Sequence, residues 1–68
     1  MADGLPDDLE IISAAYADRL KELFRVFAEA VQTGEPDREA VIRFKRGLLS
    51  VRRVRELALA ALQESETP

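Results

Sequence analysis

The chain has 68 residues, 47% apolar and 34% charged, with no cysteine, no histidine and a formal charge of −3. So short a chain makes at most one domain and buries little of its surface, and without thiols or imidazoles it lacks the disulfides and usual zinc ligand sets that staple small folds. It is too apolar for a disordered protein, no run approaches the roughly 20 apolar residues of a membrane span, and Met1-Ala2-Asp3-Gly4 has none of the character of a signal peptide, so a cytoplasmic location is expected.

The first helix start is written as Gly4-Leu5-Pro6-Asp7-Asp8. Proline near a first helical position costs no hydrogen bond and already has helical φ, and the acids that follow favour the exposed N–H groups of a first turn. From Asp7 to about Thr33 there is no Gly or Pro, and Leu9, Ile12, Tyr16, Leu20, Leu23, Phe27 and Val31 recur at helical spacing, with Phe24 and Ala30 alongside. The pattern predicts a helix over about 7–32, with one apolar stripe covering about a third of its circumference. Asp18, Lys21, Glu22, Arg25 and Glu29 lie opposite, with Ile11 exposed among the acids.

Thr33-Gly34-Glu35-Pro36 is a break, in which Gly34 can take the left-handed conformation that ends a helix and Pro36 opens the next. A connection this short forces antiparallel neighbours. The second helix, over about 37–63, keeps a 4-3-4-3 spacing through Ala40, Phe44, Gly47, Val51, Val54 and Ala58, flanked by Leu48 and Leu62. That coiled-coil-like seam is assigned to the first helix, with Gly47 marking a close backbone approach opposite Leu20 or Leu23. The expected hairpin core is Leu9, Ile12, Tyr16, Leu20, Leu23, Phe27, Phe44, Leu48, Val51 and Leu62, and residues 64–68 read as a polar tail. Tyr16, Phe24, Phe27 and Phe44, on or beside the seam, read as core aromatics.

Off the seam, the second helix also carries Val41, Ile42, Leu49, Leu57, Leu59 and Ala60. A helix apolar on two faces is normally covered on both, and one neighbour covers only one. The expected architecture is therefore all-α: an antiparallel two-helix hairpin that dimerises into a four-helix bundle.

Charge is segregated. Between Arg38 and Arg55 seven basic residues face one acid, a local +6 that leaves −9 for the rest of the chain. Two readings attach to this stretch. In one, antiparallel pairing brings Arg52 and Arg55 near Asp18 and Glu22 as surface ion pairs of at most about 1 kcal/mol each. In the other, Arg46 and Arg53 rim an outward ridge of Ile42 and Leu49 that meets the same chain or an acidic amphipathic partner. The alternative is a nucleic-acid-binding or nuclease-accessory hairpin using Arg43, Arg46, Arg52, Arg53 and Arg55 of this stretch, in which Arg43, Lys45, Arg52 and Arg55 read as a basic patch; against it stand the pI of 4.9 and the absence of interleaved aromatics.

Catalysis has little to work with. The commonest general base and thiol nucleophile are missing, Ser13 and Ser50 have no partner base, there is no phosphate-cradling glycine loop, and the carboxylates Asp18 and Glu22 read as solvated surface. The expectation is a non-enzymatic protein with no cofactor, metal or small-molecule substrate, acting as adaptor, co-chaperone or small regulatory subunit.

Phe44-Lys45-Arg46-Gly47 resembles the phenylalanine-glutamate-arginine-glycine stretch in the second helix of the exodeoxyribonuclease VII small subunit. In size and layout the chain is also similar to the hairpin co-chaperones of type III secretion needles and to RNA-binding Rop-type dimers. The first resemblance covers four residues and the others none, so no function is carried over.

Overall fold

The computed structural model describes residues 7–66, which form two helices, α1 (Asp8–Gln32) and α2 (Asp37–Glu66), packed against each other as an antiparallel hairpin. The Gly4-Leu5-Pro6 part of the first start signal lies outside the described residues. Asp7 caps α1: its carboxylate accepts the Leu9 N–H at 3.2 Å and its carbonyl accepts the Ile11 N–H at 3.1 Å, satisfying donors that would otherwise be orphaned.

The turn is built by backbone hydrogen bonds. Gly34, at φ +92°, donates to the Val31 carbonyl at 3.2 Å, and Glu35 donates to the Ala30 carbonyl at 3.0 Å, a Schellman motif closing α1. The Thr33 hydroxyl donates to the same Ala30 carbonyl at 3.2 Å. Pro36 then stops the chain re-entering α1 and starts α2 as its cap, its carbonyl accepting the N–H groups of both Glu39 and Ala40 at 3.1 Å. The second helix continues to Glu66, three residues beyond the Gln63 limit read from the pattern, because no glycine or proline interrupts it there.

Three contacts fix the register of the seam. Phe27 and Phe44 pack with ring centroids 4.8 Å apart, the Arg55 guanidinium lies 4.5 Å over the Tyr16 ring, and Leu23 presses on Gly47. A Cβ built on Gly47 would stand 2.6 Å from Leu23 Cδ2, so the glycine permits an approach that any other residue would obstruct.

The seam departs from its expected composition in four places. Leu9 and Val31 are exposed, and Phe24 and Val54 are each 62% exposed. On α2 the half-buried positions run Phe44, Gly47, Val51, Arg55, Ala58 and Leu62, flanked by Leu48 and Leu59, a spacing closer to 11 residues per three turns than to a heptad. A straight α-helix drifts about 20° per heptad from a strict 3.5-residue repeat, and by the fourth seam position that drift replaces Val54 with Arg55. Phe24 lies at the margin of an apolar stripe wider than a single helix can cover, whereas Leu9, on the line of Phe27 five turns away, stands in the first turn of α1 at the open end of the hairpin, where it borders a groove with Leu59 and Leu62. Ile12, Tyr16, Leu20, Leu23, Phe27, Phe44, Leu48, Val51 and Leu62 are half-buried, and among the described residues Ala40 alone is fully buried, at 1% exposure.

Candidate interaction surfaces

Two helices side by side make a slab one helix thick, with two broad faces and two long edges. Side chains three or four positions apart share a helix face, so the sequence determines which residues border which surface. Shallow grooves mark one face: about 130 Å³ between Leu23, Val26, Phe27 and Ala40, walled by Arg43, and about 190 Å³ among Ile12, Ala15, Tyr16, Arg19, Val54 and Ala58. Both are small and lined mainly by apolar side chains.

The ridge residues Ile42 and Leu49 stand on the outer edge of α2, 43% and 64% exposed, with the exposed Arg46 and Arg53 among them. Ile42 and Arg46 share a further groove with Glu39 and Arg43. The four residues of the basic patch do not form one surface. Arg43 walls a groove on one face; Lys45 and Arg52 lie on the opposite side of α2; Arg55 is drawn into the seam over Tyr16, its Nε buried without a hydrogen-bond partner.

The ion pairs also differ from the expected ones. Among the described residues Arg52 and Arg55 pair with neither Asp18 nor Glu22. Arg25 instead holds Glu22 at 2.6 Å and Glu29 at 3.6 Å, because these acids stand on the side of α1 turned away from α2, within reach of a cation three or four residues along their own helix. Arg43 grips Glu35 in a bidentate fork, Nη1–Oε2 2.6 Å and Nη2–Oε1 2.8 Å, clamping the turn to the second turn of α2. Hydrogen bonding from its arginine lowers the pKa of each held carboxylate, Glu22 by Arg25 and Glu35 by Arg43.

Phe24 is the surface residue that sequence reasoning missed. Its place at the edge of a wide stripe read as core, and only the position of α2 leaves it facing outward. Among the described residues no helix is long and apolar enough to cross a membrane, and no cluster of three or more acidic, Cys or His side chains could hold a metal ion. No protein-family model, curated protein or solved structure matches the chain.

Proposed function

We propose that the chain is a non-enzymatic protein-interaction module, a helical hairpin that pairs with a second copy into a four-helix bundle and serves as adaptor, co-chaperone or small regulatory subunit. One observation carries the reading: among the described residues ten large apolar side chains are 39% to 64% exposed while a single alanine is buried. An apolar surface spread over both faces and an outer edge is far more than scattered surface residues require, and it is characteristic of a chain whose core is completed by another molecule. In this reading the Ile42 and Leu49 ridge, flanked by Arg46 and Arg53, is part of the associating surface.

The test is solution mass by light scattering, with circular dichroism on the same sample across a dilution series. A helical dimer is expected, converted by Leu49→Asp to a species of half the mass that keeps most of its helicity. A wild-type chain that is monomeric and poorly helical would replace self-association with an obligate heterologous partner. A Leu49→Asp variant of unchanged mass would remove the ridge from the dimer.

A further inference from the structure

The face opposite the grooves has a different composition. On α2 it is a stripe at alternating spacings of three and four: Arg38, Val41, Lys45, Leu48 and Arg52. On α1 it carries Leu20, Lys21, Phe24 and Val31. The Phe27–Phe44 and Tyr16–Arg55 contacts set the heights of the two helices, placing Phe24 level with Gly47, between Lys45 and Leu48, and Lys21 between Leu48 and Arg52. The result is an apolar strip with basic borders on both sides. Phe24, Val31 and Val41 are exposed in it, and Leu20 and Leu48 half-buried.

The cations on those borders are unpaired among the described residues: Lys21, Arg38, Lys45 and Arg52 are exposed and form no ion pair, whereas Arg25 and Arg43 neutralise Glu22, Glu29 and Glu35 elsewhere. The acids on this face are Glu10, near the open end of the hairpin, and Glu56, one turn past Arg52 on α2 without forming an ion pair with it.

We propose that this face docks an acidic amphipathic helix of another protein, an inference that rests on the chain's acting through protein contacts. Apolar residues of such a helix would lie on the strip over Phe24 and Leu48, making a three-helix bundle, and its flanking carboxylates would reach both basic borders. Charge disfavours a second copy here. A twofold axis along the helices would set Lys21 against Lys45 and Arg52 of the other chain, and one across them would set Arg38, Lys45 and Arg52 against their own counterparts. A nucleic-acid backbone would satisfy the cations but leave the apolar centre between them uncovered.

The experiment uses the full chain and three fluorescein-labelled probes followed by anisotropy at low and high salt. They are a synthetic helix of about 18 residues, roughly 27 Å long, with a leucine stripe flanked by glutamates; the same peptide with lysines for glutamates; and a single-stranded oligonucleotide. The glutamate peptide is expected to bind and the lysine peptide not. Lys45→Glu combined with Arg52→Glu should weaken binding by at least about tenfold, as should Phe24→Asp, while Val54→Asp on the grooved face leaves it intact. Phe24 and Val54 are both largely exposed, and circular dichroism checks that each variant stays helical. Equal binding of the two peptides, or of neither, overturns the proposal. So does oligonucleotide binding that is indifferent to Phe24→Asp, which would make the borders a phosphate surface, or a halved mass for Phe24→Asp, which would give the face to a second copy. A wild-type dimer that ignores the acidic peptide would refute this inference and leave the bundle reading standing; a wild-type monomer that ignores it would remove both.

Discussion

Replacing Gly47 by alanine sets two effects of opposite sign against each other at one seam position. In an exposed helix interior the change stabilises by about 1 kcal/mol, because glycine loses more backbone freedom on folding. Here the new methyl would lie 2.6 Å from Leu23 Cδ2 and 3.4 Å from Cδ1, so Leu23 must leave its rotamer or the helices must part. Overpacking of this kind costs about 1–3 kcal/mol, and the second effect wins: Gly47→Ala should destabilise by about 1 kcal/mol. Leu23→Val removes both Cδ atoms, and in that background Gly47→Ala should stabilise by about 1 kcal/mol, a coupling of about 2 kcal/mol. The assay is urea denaturation of the four proteins of the cycle, followed by circular dichroism at one fixed chain concentration, since association is linked to stability. Equal stabilisation in both backgrounds, with coupling under about 0.5 kcal/mol, would refute the close approach.

Gly34→Ala meets no steric neighbour within 4 Å, yet φ +92° is costly for any residue with a Cβ, so a loss of about 1 kcal/mol is expected in the same denaturation assay, and Gly34→Asn should lose less. Asp7→Ala removes the cap of α1 and should cost about 1 kcal/mol, with amide exchange accelerating first at Leu9. Arginine contacts lower the folded-state pKa of Glu22 and Glu35 below the ordinary value of 4.5, so the stabilisation they bring is complete above that pH and is lost as pH falls through the depressed folded values. Melting temperature should therefore drop on acidification below about pH 4.5, and the combined Glu22→Gln and Glu35→Gln variant should show a shallower drop; an unchanged slope would show that neither pair matters.

The local grammar of the hairpin was legible in the chain itself. Acids at the first helix start, Gly34 in the left-handed region, Pro36 at the second start and an uninterrupted apolar period on either side each follow from single-residue conformational preferences, which act before any tertiary contact exists; that Asp7 is the cap itself came from the structure. Gly47 was legible too, because a glycine inside a helix requires a neighbour to explain it. How the stripes divide between seam and surface was decided by tertiary structure. Whether Val54 or Arg55 faces Tyr16 depends on the difference between 3.5 and about 3.6 residues per turn accumulated over several turns, and no single residue encodes that. Ion pairing was decided the same way: Glu22 had cations on both helices within plausible reach in the sequence, and only its orientation away from α2 gave it to Arg25. The basic stretch read as one patch because its residues are adjacent along the chain, but a helix turns about 100° per residue, and the hairpin distributes them to different surfaces. Lys45 and Arg52 border an apolar strip with Phe24, Arg43 clamps the turn, and Arg55 lies in the seam, because the position of the second helix determines which sides of the first remain open.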